Sequence, residues 1–186
     1  MRTSCSLRAS AIAGAIVLGA ALIPAHATVT AFFSAGSTCQ GKPVIKFRAG
    51  GPSVTVTLCA NATEEAICGH SIQLEAGSTA SSGQFEIIKH KMGAHYPDPT
   101  LEKLPARTKI TLPATAHDFG GTRDNPHPPE KNQVLATFTL KPPATAKLAS
   151  YQIRLGKNSL VSVGAKGSCL ENAEVPMSAS MTFERD

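Results

Sequence analysis

Aromatic side chains are scarce in this sequence. Its 186 residues include no tryptophan and two tyrosines, and aromatic residues make up 5% of the chain. Sugar-binding surfaces usually present flat aromatic rings, so this composition favours a protein over a glycan as the ligand. Tyr151 falls on the inward face of a predicted strand. Tyr96 is then the single candidate for an exposed aromatic contact.

The motifs of common enzymes and runs of like charge are missing as well. The sequence contains neither GxSxG nor HExxH, and its basic residues are scattered singly, with no run of five. Two of them, Arg2 and Arg8, belong to an N-terminal segment with the pattern of an export signal. Without these two, 16 basic residues stand against 13 acidic ones, and the net charge falls from +5 to +3. We therefore expect a protein that is not an enzyme and does not bind nucleic acid.

The export signal has three recognisable parts. Arg2 and Arg8 form its basic start, the stretch Ala11–Ile23 is apolar, and Ala25-His26-Ala27 fits the small-x-small site of signal peptidase. The apolar stretch is shorter than the roughly 18 residues that span a bilayer. We predict cleavage after Ala27, which leaves one domain over 28–186 in the periplasm or outside a bacterial cell. An anchored N-terminal helix is the alternative.

Four cysteines remain once Cys5 is removed with the signal. An even number of cysteines in an exported chain indicates disulfides, here two. Three pairings are possible, and we favour Cys59–Cys68, which closes a short loop, together with Cys39–Cys169. A metal site built from these cysteines is disfavoured because no CxxC pair is present.

Short segments with apolar residues at every second position recur along the chain. This period of two is typical of strands with one buried face, and glycine, proline, serine and asparagine separate the segments. Only Asn61–Ile67 has a helical pattern. The pattern predicts an all-β, two-sheet antiparallel sandwich of jelly-roll or immunoglobulin type, with about eight to ten strands and two disulfides. The predicted strands are Thr28–Phe33, Val44–Phe47, Ser53–Cys59, His70–Glu75, Gln84–Lys89, Val134–Lys141, Tyr151–Leu155, Leu160–Val163 and Met177–Phe183.

Two of these regions resemble a known family. The segment Cys68-Gly69-His70-Ser71-Ile72-Gln73-Leu74 is similar to an early strand of cohesin-type domains, and Gln133–Leu140 is similar to a late one. Cohesins belong to a group of jelly-roll sandwiches that also contains carbohydrate-binding modules. The resemblance extends over Val29–Phe183 and implies a binding module. The chain departs from the cohesin pattern in its disulfides, and no dockerin-type partner accompanies it.

Two long segments contain proline and histidine and lack a strand pattern. Long loops inside a compact domain are commonly functional, so we expect ligand contacts in Lys91–Pro105 and Ala116–Lys131. The side chains that we expect to contact a ligand are Tyr96, Asp98, Asp118, Arg123, Asp124 and Asn125.

The same two loops offer alternative sites for a metal ion. His95, His117 and His127 could converge on a transition metal, although their spacing follows no metal-binding motif and suits solvated loop residues equally well. Oxygen atoms of Asp118, Asp124 and Asn125 could bind calcium, but turn-forming roles explain these residues too. The sequence therefore requires no cofactor.

Taken as a whole, these patterns predict an exported, non-catalytic binding or assembly module. Its ligand is a protein or glycan of the cell envelope or exterior, and recognition uses the long loops or a sheet face or edge. A periplasmic metal-binding protein that uses the loop histidines is the first alternative. A cell-envelope hydrolase is the second.

Overall fold

The computed structural model describes residues 29–76, 85–96, 110–111, 118–122, 129–146, 148–164, 169 and 172–186. The predicted signal, Met1–Ala27, lies outside these ranges, as do most residues of the two long loops. Within the described ranges the chain forms twelve strands and no helix. None of these ranges contains a helix of the length and apolarity that a membrane span requires. The expected all-β architecture is confirmed.

All nine strands that the sequence predicts are present, and three further strands join them. The strands are β1 (Val29–Ala35), β2 (Val44–Phe47), β3 (Val54–Ala62), β4 (Ala66–Ala76), β5 (Glu86–Met92), β6 (Ile110–Thr111), β7 (Asp118–Thr122), β8 (Gln133–Lys141), β9 (Ser150–Leu155), β10 (Leu160–Gly164), β11 (Asn172–Pro176) and β12 (Ser180–Arg185). The sequence pattern missed β6, β7 and β11. Each of these has five residues or fewer, so a period of two has little room to show.

The strands form two sheets. Sheet 1 has the order β1-β3-β8-β5-β6, and sheet 2 has the order β11-β10-β4-β9-β12-β2 with β7 paired to β4. Neighbouring strands are antiparallel except β2 and β12, which run parallel. Both β9 and β10 pair with β4, and the connection between them bends away at Gly156. The Gly156 amide donates to the carbonyl of Gln73 over 2.8 Å, so hydrogen bonding along β4 continues between the segment that pairs with β10 and the segment that pairs with β9.

The core lies between the inner faces of the two sheets. Alternate residues of each strand point into it, as the period-two pattern requires. In β3, for example, Val56, Leu58 and Ala60 are all buried in the same apolar cluster. The ring of Phe85 lies 4.7 Å from that of Phe183 and 5.7 Å from that of Tyr151, measured between centroids. The inward position predicted for Tyr151 is therefore confirmed.

The predicted helix at Asn61–Ile67 is wrong. Asn61 and Ala62 end β3, where Val29 pairs with Ala62, and Ala66 begins β4. The three residues between them turn the chain from sheet 1 into sheet 2. A helix of two turns is unstable without tertiary support, and pairing with β1 and β10 satisfies this backbone instead.

The cysteines form two disulfides, as expected, but the favoured pairing is wrong. Cys39 is bonded to Cys59, and Cys68 to Cys169, with Cα atoms 5.8 and 5.7 Å apart. Proximity in sequence is misleading here because Cys59 lies in sheet 1 and Cys68 in sheet 2. The flanking residues of Cys59 in β3 point into the core, so its own side chain points to the outer face of sheet 1. The loop after β1 passes over that face and supplies Cys39.

Part of the second long loop is a strand. Asp118–Thr122 pairs antiparallel with Gly69–Gln73 of β4. Two of its five residues are glycines, so the segment has no alternation of apolar side chains that the sequence could have revealed. The expectation of a continuous loop over Ala116–Lys131 is therefore wrong for these five residues. The first predicted loop, Lys91–Pro105, is likewise wrong at Lys91 and Met92, which end β5.

Candidate functional site

The outer face of sheet 1 carries two rows of polar side chains across three strands. Thr55 of β3 is opposite Thr139 of β8, which is opposite Lys89 of β5. The second row consists of Thr57, Thr137 and Lys91. The intervening residues Val56 and Phe138 are buried in the core, so both rows point away from it. We call these six side chains the polar face.

The loop between β1 and β2 lies over one side of the polar face and is fixed there. Its disulfide joins Cys39 to Cys59, next to Thr57 in β3. The Thr57 hydroxyl donates to the carbonyl of Gly36 over 2.7 Å, and the Gly36 amide donates to the carbonyl of Thr55 over 2.9 Å. The loop is closed on itself by a 2.7 Å hydrogen bond from the Gly41 amide to the Ser34 hydroxyl. One covalent bond and several hydrogen bonds thus hold the loop against the sheet.

A groove of about 380 Å³ lies between this loop and β5. Its lining consists of Ser37, Lys89, His90, Lys91, Met92, Gly93, Ala94, Val134, Thr137 and Thr139. Two lysines and three hydroxyl groups line it, and none of the ten residues is acidic. Desolvation by burial lowers the pKa of His90 below its usual value, and His90 is opposite Phe138, so its side chain is on the other side of β5 from Lys89 and Lys91. The positive charge of the groove therefore comes from Lys89 and Lys91, which are both exposed.

The hydrogen-bond chemistry of the groove follows from its threonines. The Oγ1 atoms of Thr57 and Thr137 are 3.3 Å apart. Thr57 has a single hydroxyl proton, and it is donated to the Gly36 carbonyl. Thr137 is therefore the donor to Thr57, and its own oxygen is left as an acceptor. The groove can attract a negatively charged group and accept a hydrogen bond from an N–H.

A second cluster lies where the long loops leave the sandwich. The Tyr96 hydroxyl donates to Oε1 of Gln133 over 2.6 Å. This hydrogen bond joins the first predicted loop, Lys91–Pro105, to the first residue of β8. The Tyr96 ring is edge-on to the imidazole of His70, with centroids 5.1 Å apart. At the end of the second loop, Asn132 has φ 60°, and its amide donates to Oδ1 of Asn61 over 2.8 Å. Both loops are therefore anchored at the end of the sandwich where β3 turns into β4.

Comparison with solved structures identifies the architecture. The chain is similar to the seventh ScaB type I cohesin of Pseudobacteroides cellulosolvens, with a TM-score of 0.53, 16% identity, and 84% of this chain and 92% of that chain covered. It is also similar to the third ScaB cohesin of Ruminococcus flavefaciens, solved with a group 1 dockerin, with a TM-score of 0.52, 18% identity, and coverage of 88% and 98%. The chain has a cohesin-like fold.

A third structure with the cohesin-like fold comes from Clostridium thermocellum. It is a type I cohesin–dockerin complex, with a TM-score of 0.51, 13% identity, and coverage of 87% of this chain and 97% of that one. No protein-family model matches the sequence, and a search of the curated proteins finds no match. The similarity to the three solved cohesin structures confirms the fold that the sequence resemblance suggested.

The cohesin-like sandwich does not present Tyr96 as expected. Tyr96 was predicted to be an exposed aromatic contact, but its side chain is 0% exposed and belongs to the core. The residue before it, His95, is exposed in a turn. Asp118 begins β7 opposite Gln73. The remaining predicted contacts and metal ligands lie outside the described residues: Asp98, Arg123, Asp124, Asn125, His117 and His127.

Whether the predicted metal ligands of the two loops converge stays a prediction. Among the described residues there is no group of three histidine, cysteine, aspartate or glutamate side chains that could hold a metal ion. Since one of the three histidines is described, convergence of His95, His117 and His127 stays a prediction, and so does calcium binding by Asp118, Asp124 and Asn125.

Sequence reasoning missed the polar face. Its signal was present as Lys89-His90-Lys91 and Thr137-Phe138-Thr139, each with two polar residues on the outward side of a strand. Alternation alone marks such residues as solvent-facing, which is their usual role. The pairing of β3, β8 and β5 is needed to show that these residues form rows. The Cys39–Cys59 disulfide is needed to show that a loop lies over one side of the polar face.

Proposed function

We propose that this chain is an exported, non-catalytic module that binds a protein partner through the groove on sheet 1. The observation that carries the proposal is the groove itself, which has two lysines and three hydroxyl groups among its lining residues and lies next to a loop fixed by Cys39–Cys59. A rigid surface loses little conformational entropy when a partner binds, which favours recognition at that place.

The fold supports a protein partner by analogy. Two of the similar cohesins, from Ruminococcus flavefaciens and Clostridium thermocellum, were solved in complex with dockerins. Because one fold can carry several functions, this analogy is weaker than the chemistry of the site. The scarcity of aromatic residues adds to the preference for a protein over a glycan.

Export is supported by the cysteines and by the N-terminal pattern. Two disulfides suit an oxidising compartment, such as the periplasm or the cell exterior. If the full chain is produced in a bacterial host, we expect the exported protein to begin at Thr28. N-terminal sequencing of the periplasmic and culture fractions measures this, and an intact N-terminus on cytoplasmic protein would refute the export proposal.

A charge-reversal experiment tests the binding surface. The wild-type protein and the double variant Lys89→Glu/Lys91→Glu are immobilised and exposed to envelope and culture fractions. A matched control is Lys46→Glu/Lys157→Glu, which changes the charge equally at exposed positions in β2 and in the turn between β9 and β10. We expect the wild type and the control to capture the same protein, and the variant in the groove to lose it. Equal capture by both variants would contradict the proposal.

The two long loops remain a second candidate surface for the same function. Their anchoring at one end of the sandwich, through Tyr96, Gln133 and Asn61, is compatible with a shared contact area. Metal analysis of the purified protein after incubation with zinc, copper or calcium tests the histidine and calcium alternatives. Bound metal that is lost when His95, His117 and His127 are replaced would favour the periplasmic metal-binding protein.

A further inference from the structure

We infer that the groove on sheet 1 binds an extended acidic segment of the partner, whose carboxylates at alternate positions contact Lys89 and Lys91. This inference rests on the proposed function, because it names the chemistry of the partner at the same surface. The argument uses the spacing of the lysines, the charge of the lining residues and the hydrogen-bonding state of Thr137.

The spacing of the lysines matches an extended peptide. Lys89 and Lys91 are two residues apart on one strand and point to the same side. Their Cα atoms are thus separated by about 7 Å along β5. Acidic residues two apart on an extended segment have the same separation, so both carboxylates can meet a lysine at once. Acidic residues an odd number of positions apart lie on opposite sides of an extended segment, so such a pair places only one carboxylate on that side.

Charge at the groove favours carboxylates over cations. None of the ten lining residues is acidic, and the side chain of His90 is on the other side of β5 from the two lysines. Glu86 of β5 lies on the same face of sheet 1. It is opposite Lys141 in the register of β5 and β8. That pair adds no net negative charge. The face therefore keeps the two positive charges of Lys89 and Lys91.

Thr137 supplies the directional contact. Because its proton is donated to Thr57, its oxygen can accept a hydrogen bond from a backbone amide of the bound segment. Thr139 lies in the other row, opposite Lys89. An extended chain exposes backbone N–H groups between its side chains. The lysines can therefore contact the carboxylates of the bound segment while the threonine hydroxyl groups contact its backbone.

Synthetic peptides test this inference without knowledge of the natural partner. The probe is a short fluorescein-labelled peptide in which glutamate and threonine alternate. One comparison peptide has the same composition but an arrangement in which no two glutamates are two residues apart, and another has lysine in place of glutamate. Binding to the exported protein is measured by fluorescence anisotropy at low ionic strength and at about 0.5 M salt, where screening is strong.

We expect the alternating glutamate peptide to bind about tenfold more tightly than either comparison peptide. Lys89→Gln/Lys91→Gln should weaken this binding about tenfold, whereas Lys46→Gln/Lys157→Gln should leave it unchanged. Added salt should weaken it as well. Both lysine pairs are exposed, so the variants should fold normally, which circular dichroism checks. Binding that survives in Lys89→Gln/Lys91→Gln, or that is equal for all three peptides, would overturn the inference.

The two proposals fail in different ways. If the alternating peptide does not bind but capture of the natural protein is still lost in Lys89→Glu/Lys91→Glu, the acidic segment is wrong and the binding surface is right. If capture is unaffected by that variant, the proposed surface itself is wrong, whatever the peptides do.

Discussion

His70 places an imidazole in the core of the sandwich. It lies in β4 opposite Val161 of β10 and Gly121 of β7, with the ring of Tyr96 against it. The side chain is 5% exposed, and no described residue hydrogen-bonds to either ring nitrogen. Burial lowers the pKa of His70 from 6.5 to about 4. None of these three neighbours is charged, so nothing there compensates for a proton on the ring.

This residue predicts an acid-sensitive stability. The unfolded chain takes up a proton near pH 6.5 and the folded one near pH 4, so the free energy of unfolding falls as the pH drops through that window. The difference corresponds to on the order of 3 kcal/mol. His70→Phe, which keeps a ring against Tyr96, should remove this part of the pH dependence. Urea denaturation at a series of pH values measures it. Parallel curves for the wild type and the variant would contradict the assignment, and His95→Gln serves as the exposed control.

The end of β5 shows how one residue sets the contact between two strands. Gly93 follows β5, and its amide donates to the carbonyl of Leu135 in β8 over 2.8 Å. A Cβ atom at this position would overlap the carbonyl oxygen of Val134. Since backbone atoms cannot move aside as a flexible side chain can, only glycine allows the two strands to approach so closely. Gly93 also lines the groove.

Gly93→Ala should therefore separate the end of β5 from β8. We expect a loss of about 2 kcal/mol in the free energy of unfolding, because a methyl group is forced into a filled space. The acidic peptide should also bind less tightly, since the wall of the groove moves. Urea denaturation and anisotropy measure the two effects. Ala149→Ser, at an exposed position outside the groove, is the control. An unchanged denaturation midpoint for Gly93→Ala would show that the strands are not held this closely.

The two disulfides act on the molecule over different distances. Cys39–Cys59 joins residues 20 apart in sequence and holds a loop on sheet 1. Cys68–Cys169 joins residues 101 apart and connects β4 to the segment between β10 and β11. A cross-link restricts the unfolded chain more when it closes a longer loop. The chain-entropy model gives about 3 kcal/mol for the first bond and about 5 kcal/mol for the second.

The disulfide variants should thus separate stability from binding. Cys68→Ala/Cys169→Ala is expected to lower the free energy of unfolding more than Cys39→Ala/Cys59→Ala does. Binding at the groove should show the reverse order, because only Cys39–Cys59 fixes the loop beside it. Urea denaturation and peptide anisotropy on the same two proteins measure both, and each variant is the control for the other. A greater loss of binding in Cys68→Ala/Cys169→Ala would contradict the role given to the loop.

Several parts of this molecule could be predicted because they depend on local pattern. Alternation of apolar residues located nine of the strands, and the even number of cysteines after the predicted signal indicated two disulfides. Strand β7 could not be found in this way because its glycines have no side chains to alternate. Tyr96 stands between the exposed His95 and a proline in sequence, so its burial against His70 was not visible either.

The sequence by itself determined nine of the twelve described strands, the two-sheet architecture and the presence of paired cysteines. Tertiary structure alone decided which cysteines pair, since Cys59 and Cys68 are close in the chain but belong to different sheets. It also decided that Thr55, Thr57, Thr137, Thr139, Lys89 and Lys91 form one surface. The physical reason is the same in both cases. Side-chain alternation is a property of each strand alone, whereas the choice of neighbouring strand and register depends on contacts between residues far apart in the sequence.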